Sequence, residues 1–182
     1  RSSFYRPRDI ISHLIILQKH VKQHHPDKMH FDKDDLRNVQ KEYSEYLLQE
    51  IKDEMQFCYS SFDFDEIHGL FREFGGHSRF GWEFLQTRYE RFISRYDDVS
   101  VLTIPALRSG PESMLQFLYS LNMIGYKEET EDTFFVHWCF RERSLALMNP
   151  RVQIGKEYFL HPGLLQALRS EEHTSELQSP SA

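Results

Sequence analysis

The stretch GPESMLQFLYSLN, residues 110–122, decides the fold class of this chain. Proline is favoured in the first turn of a helix, and Pro111 stands at that position after Gly110. Apolar side chains then recur in steps of three and four residues, the spacing of a helix with one buried face, at Met114, Leu115, Leu118 and Leu121. The sequence therefore predicts a helix at about 111–122.

The period of the pattern changes downstream of this helix. Residues 133–141 are β-branched and aromatic, with Phe134, Val136, Trp138 and Phe140 at alternate positions. Residues 152–160 form a second run of this type, and both compositions are typical of strands. We expect these two runs to pair with each other as a β-hairpin.

Four amphipathic stretches precede the helix at 111–122. The first starts at Pro7 and runs to His24. In the second, Asp32 and Asp35 have the spacing of a capping box and the helix continues to Met55. The third starts at Asp63 and ends before Gly75-Gly76, and the fourth spans about 81–96.

Three helices followed by a hairpin is the element order of a winged helix. The sequence thus predicts a mainly α fold with a small β-hairpin. We expect a helical, lid-like segment at 1–57 and a winged-helix domain at 58–168.

Composition places the chain among ordinary globular proteins. Of its 182 residues, 40% are hydrophobic and 27% charged, and no apolar run reaches the length of a membrane span. Cys58 and Cys139 are far apart and no signal peptide is evident, so we expect reduced thiols, a cytoplasmic location and no membrane association. The net charge of −6 argues against nonspecific attraction to nucleic acid.

Both ends of the chain have unusual features. It starts at Arg1 without methionine, and residues 169–179 resemble the in-frame translation of a sequencing-adapter oligonucleotide. We expect 169–182 to be an artefactual disordered tail, and the remainder to be a fragment of a longer reading frame.

Several short motifs occur in one order over residues 6–168. They are Arg6-Pro7-Arg8-Asp9, Tyr43-Ser44 with Leu47 and Glu50, Asp53-Glu54, Leu118-Tyr119 with Ile124-Gly125, and His161-Pro162. In this arrangement the chain resembles the C-terminal portion of a family of bacterial P-loop ATPases, predicted NTPases that include FunZ-like proteins.

The resemblance implies a function linked to ATP. In such proteins the nucleotide core, which binds ATP with Mg²⁺, lies upstream in the same chain, and an arginine at the start of the following helix contacts a phosphate. Arg6 and Arg8 match that position. A guanidinium is always charged and suits phosphate oxygens. The chain has no Gly-x-x-x-x-Gly-Lys-Ser/Thr loop, so we expect this fragment to be no enzyme but a regulatory or partner-docking region, with a homo-oligomer or a protein partner possible.

Two other functions stay open, a DNA-binding winged-helix regulator and a stand-alone protein-interaction module. The first would use the cations around the hairpin, namely Arg141, Arg143, Arg151 and Lys156. However, residues 111–124 contain no Lys or Arg, so nucleic acid is not the expected partner. His20 and His24 lie four residues apart, but we expect a polar helix end there and no metal site.

Overall fold

A computed structural model of the chain describes residues 6–56, 58–59, 63–131, 133–144 and 150–168. Helices predominate, and the strands form a small antiparallel sheet, which confirms the predicted mainly α fold class. The tail at 169–182 lies outside the described residues. The chain divides into two compact units, residues 1–51 with 162–182 and residues 52–161. The predicted division into 1–57 and 58–168 stays a prediction.

The first unit is helical. Helix α1 spans Pro7–His24, α2 spans Lys33–Asn38, and α3 spans Gln40–Met55 and ends in the second unit. The capping box is present: Asp32 accepts hydrogen bonds from the backbone N–H groups of Asp34 and Asp35, and Asp35 accepts one from Asp32. The sequence predicted one helix from Asp32 to Met55. The structure has two, α2 and α3, with Val39 (φ −91°, ψ 0°) as the residue that caps the end of α2.

The second unit contains the remaining elements. Helix α4 spans Asp63–Phe74, strand β1 Arg79–Phe80, and α5 Trp82–Ile93. After a 3-10 turn at Val99–Val101 come α6 (Pro105–Arg108), α7 (Pro111–Ser120), β2 (Ile124–Glu129), β3 (Phe134–His137), α8 (Cys139–Ser144) and β4 (Tyr158–Leu160). A 3-10 turn at Pro162–Leu164 belongs to the first unit.

Helix α7 ends two residues before its predicted end. Asn122 has a φ of +59°, the left-handed conformation that stops a helix. The N–H of Met123 bonds to the carbonyl of Leu118, and the N–H of Asn122 to that of Tyr119, which together form a Schellman motif. The motif turns the chain directly into β2, a strand that the sequence analysis did not predict.

The strand pairing differs from the predicted hairpin. All neighbours are antiparallel in the order β1-β4-β2-β3, so the runs at 133–141 and 152–160 both pair with β2 and not with each other. The extended run is also cut short, because helix α8 starts at Cys139. Strand β3 pairs with β2 through a short turn, in which the N–H of Thr130 bonds to the carbonyl of Thr133.

Each unit has its own apolar core. In the first unit it includes Leu17, Val21, Tyr43 and Leu47, and in the second unit the α4 stripe of Ile67, Leu70, Phe71 and Phe74 is buried as its spacing predicted. The core of the second unit extends from α4 to β1, because Phe74 of α4 and Phe80 of β1 pack edge to face with ring centroids 5.0 Å apart.

Candidate functional site

The two arginines matched to a phosphate contact lie at the start of α1. Arg6 is the residue before the helix, Pro7 is the first helical residue, and Arg8 follows it. The Arg6 Nε atom donates to Asp9 Oδ2 over 3.2 Å, and Asp9 is fully buried. The hydroxyl of Tyr46 on α3 lies 3.5 Å from the other Asp9 oxygen. Asp9 therefore fixes the direction of the Arg6 side chain.

Glu50 on α3 completes this group. Its Oε2 atom is paired with Arg8 Nη2, and Arg6 Nη2 lies 3.7 Å from the same oxygen. We call Arg6, Arg8, Asp9 and Glu50 the arginine–carboxylate cluster. Two cations and two carboxylates balance in charge, so the cluster ties α1 to α3 without a net charge of its own.

Arg8 is the more accessible of the two arginines. Arg8 is 61% exposed, and its guanidinium is held at the surface by Glu50. A phosphate would have to compete with the Glu50 carboxylate for the same N–H groups, because the oxygens of both groups suit the N–H donors of a guanidinium. An anion that bound both arginines would therefore have to displace the Glu50 carboxylate.

Helix α1 carries an exposed apolar face beside the cluster. Ile10, Ile11, Leu14 and Ile15 are each between 51% and 58% exposed. Arg8, Ile11 and Ile15 follow one another at helical spacing, so the arginine lies on the border of this face. Leu17 and Val21, farther along the helix on the side that Ile10 and Leu14 share, are buried, at 2% and 4% exposure. We call Ile10, Ile11, Leu14 and Ile15 the α1 apolar face. Their spacing predicted the helix, but their exposure shows that the described chain does not cover them.

The four cations proposed for DNA are placed on different features. Arg141 lies exposed on α8, a helix and not a hairpin loop. Arg151 lines a groove with Glu112, and Lys156 lines another groove with Glu157. Of Arg143 only the backbone, in α8, is described. The described members of this set thus lie on different elements, and their role in nucleic-acid binding stays a prediction.

The polar side chain most central on α7 is engaged with the protein itself. Gln116 Nε2 donates to the carbonyl of Pro150 over 3.0 Å, and its Oε1 accepts from the N–H of Val152 over 3.0 Å. The side-chain amide thus donates one hydrogen bond to the segment 150–152 and accepts one from it, and these two bonds hold the segment against α7. A helix that reads a DNA groove would present such an amide to a base edge. In this structure the Gln116 amide is instead bonded to a segment of its own chain.

A second polar cluster was missed by the sequence analysis. The His137 ring lies between two carboxylates, with Nε2 2.8 Å from Glu128 Oε2 and Nδ1 3.0 Å from Glu142 Oε1. It stacks on Tyr126 with centroids 4.7 Å apart. Burial, with Glu142 nearby, raises the pKa of Tyr126 to about 12, and its phenol donates to Glu142 Oε1 over 3.3 Å. These residues come from β2, β3 and α8, so the pairing of β2 with β3 and the position of α8 after β3 bring them together.

His20 and His24 lie in the last turns of α1. His20 and His24 stack with centroids 4.4 Å apart, and His24 Nδ1 lies 2.9 Å from the carbonyl of His20. Within the described residues no three metal-ligating side chains converge on one point. In the same part of the chain, no helix combines the length and apolar character needed to cross a bilayer.

Comparison with known proteins gave no relative for this chain. No family model matches it, and no curated protein or solved structure matches it either.

Proposed function

We propose that this chain is a non-catalytic regulatory and partner-docking region of a cytoplasmic bacterial P-loop ATPase. In this proposal the upstream ATPase core, which holds ATP with Mg²⁺, packs on the α1 apolar face. The observation that carries the proposal is the position of this face directly beside Arg8. Docking there would bring a guanidinium to the border of the contact, where it can meet a phosphate.

The α1 apolar face has enough exposed apolar surface to contribute to the binding of a partner. Full burial of one Leu or Ile side chain contributes about 1.5–3 kcal/mol, so covering four half-exposed side chains would contribute on the order of 4 kcal/mol. Four aliphatic side chains together form a contiguous patch, which marks an interaction site more often than a single exposed leucine does.

The arginine–carboxylate cluster supplies a way to respond to nucleotide. With Glu50 as the partner, Arg6 and Arg8 hold α1 against α3. With a phosphate as the partner, the same guanidinium groups would release Glu50 and so alter how α1 is held. A ligand that binds one of these arrangements better shifts their populations, which is all that regulation requires.

The sheet order supports a winged-helix interpretation of the second unit. In chain order α4, β1, α5, α7 and the antiparallel strands match a helix-strand-helix-helix-sheet arrangement. In this interpretation β3 and α8 are an addition between the two strands β2 and β4. Because α7 presents Glu112 and no cation, a docking role suits this unit better than groove reading.

The test uses the full-length protein that contains the upstream core. The double substitution of Arg6 and Arg8 by alanine should lower ATP turnover severalfold. The matched control replaces Lys19 and Lys22, exposed cations farther along α1, and should leave turnover unchanged. Equal turnover in the wild type and the arginine variant would refute the role of nucleotide contact.

A second test addresses docking separately. Replacing Ile11 and Ile15 by aspartate should release the core from this region, which limited proteolysis of the full-length protein reports as faster cleavage between them. Substituting the exposed Gln18 by aspartate is the matched control on the same helix. If the cleavage rates of all three proteins agree, the α1 apolar face is not the docking surface.

DNA binding by a winged helix is the competing function, and the order of helices and strands is the observation that favours it. A gel shift with duplex DNA at low salt decides between them. Binding that weakens steeply with added salt would support the DNA-binding function, because released counterions drive such binding. Absence of a shift would remove it.

A further inference from the structure

Strand β3 lies at one edge of the sheet, and in the described part of the chain only β2 pairs with it. The bond from the Thr130 N–H to the Thr133 carbonyl fixes which pairs are hydrogen-bonded, because such pairs alternate along an antiparallel ladder. In the recorded register, Phe134 and Val136 then occupy the non-bonded pairs. Their backbone N–H and C=O groups point away from β2, toward the open edge.

The side chains of β3 do not protect this edge. Phe134 is 56% exposed and Phe135 is 57% exposed, and as neighbours in a strand they lie on opposite faces of the sheet. Natural edge strands are commonly blocked by a proline, a lysine or a bulge. The sequence Phe134-Phe135-Val136-His137 has none of these. An incoming strand would therefore find both hydrogen-bonding groups and apolar surface.

The charge near this edge selects the occupant. The preceding residues contain Glu128, Glu129, Glu131 and Asp132 in sequence, against the single cation Lys127. Lys127 is only 17% exposed and is paired with Glu129 and with Glu157. A second copy of this chain would carry the same excess of acidic residues at this edge and be repelled. A strand that carries Lys or Arg would be attracted.

We propose that β3 binds an extended, basic segment of a partner protein by strand addition, with apolar side chains of that segment beside Phe134 and Phe135. Backbone hydrogen bonds at Phe134 and Val136 supply the pairing, and the acidic hairpin supplies the preference for a basic sequence. This interaction is independent of the proposed docking through α1, since it uses none of the same residues.

The experiment measures peptide binding to the full 182-residue chain by fluorescence anisotropy. The probe is a labelled peptide in which lysine alternates with valine, compared with the glutamate–valine peptide of equal length and with a lysine–valine peptide interrupted by proline. Val136→Pro removes an outward-facing N–H and leaves the bonds to β2 in place, as prolines on edge strands do. Val136→Thr keeps the N–H and is the matched control.

The basic peptide should bind the wild type and V136T about equally, and V136P about tenfold or more weakly, as expected for lost backbone hydrogen bonds. The acidic peptide and the proline-interrupted peptide should bind the wild type no more tightly than the basic peptide binds V136P. Equal binding of the basic peptide to V136P, with circular dichroism showing that variant folded, would overturn strand addition. Dimerisation of the wild type that V136P abolishes would also overturn the proposal, because a second copy would then be the occupant.

Discussion

The Oδ1 atom of Asn122 accepts a hydrogen bond from the backbone N–H of Phe140 over 2.7 Å. Asn122 is the left-handed residue that ends α7, and Phe140 lies in the first turn of α8, where N–H groups have no partner within the helix. Asn122 thus ends α7 through its backbone and caps α8 through its side chain. Two different substitutions separate these roles.

Asn122→Gly should lower the free energy of unfolding by about 1–2 kcal/mol, because glycine keeps the left-handed backbone but loses the bond to Phe140. Asn122→Ala should cost roughly 1 kcal/mol more, since alanine is strained at positive φ. Urea denaturation of both variants measures the two terms. Equal stabilities of the two variants would show that the backbone conformation contributes nothing.

Gln116 should be important for the segment at 150–152. Gln116→Ala removes the bonds to Pro150 and Val152 and should destabilise the protein by about 2 kcal/mol. The amide of Val152 should exchange its hydrogen faster, which hydrogen exchange measured by NMR detects. Ser113→Ala, in the same groove, is the control. Unchanged exchange at Val152 would contradict the assigned contact.

Gly125 is required by a close approach. A Cβ atom at this position would lie 2.6 Å from the carbonyl oxygen of His137 and 2.9 Å from the Trp138 ring. Gly125→Ala should therefore destabilise the protein by on the order of 3 kcal/mol, because the β2 and β3 backbones must separate. Gly81→Ala is the matched control, since a Cβ there meets nothing within 4 Å. Thermal unfolding of both variants tests this difference.

His68 should make stability depend on pH. Burial, with a smaller effect of Lys52 and Arg72, lowers its pKa from 6.5 to about 4. Above pH 6.5 the imidazole is neutral in both the folded and the unfolded chain. As the pH falls to about 4 only the unfolded chain gains the proton, so stability declines by on the order of 3 kcal/mol.

Urea denaturation between pH 6.5 and 4 measures this decline. His68→Leu should remove most of it, because leucine cannot take up a proton. A wild-type slope that the leucine variant reproduces in full would assign the decline to other groups. An NMR titration of the His68 ring gives the pKa directly.

The sequence predicted the helices well where one face is buried. The stripe of α4 and the residues Met114, Leu115 and Leu118 of α7 are buried as their spacing indicated. The same spacing in α1 predicted the helix correctly but not its surroundings, since Ile11 and Ile15 are exposed. Periodicity reports which side chains share a face, and it does not report what that face contacts.

The pairing of the strands could not be predicted from the sequence. Strand β2 carries Lys127, Glu128 and Glu129, and its acidic composition hid it, although it is the strand that joins β3 to β4. The cluster around His137 was missed for the same reason, because its carboxylates come from β2 and α8. The arginine pair was found from its motif, but its partner Glu50 lies on another helix.

The amino-acid sequence by itself determined the mainly helical class, the starts of α1, α2, α4 and α7 and the buried faces of α4 and α7, because these follow from local spacing and capping. The tertiary structure alone decided which strands are neighbours, which carboxylates hold Arg6, Arg8 and His137, and which apolar faces stay uncovered. Those features join residues that are distant along the chain, so they depend on the packing of whole elements and not on any pattern within one of them.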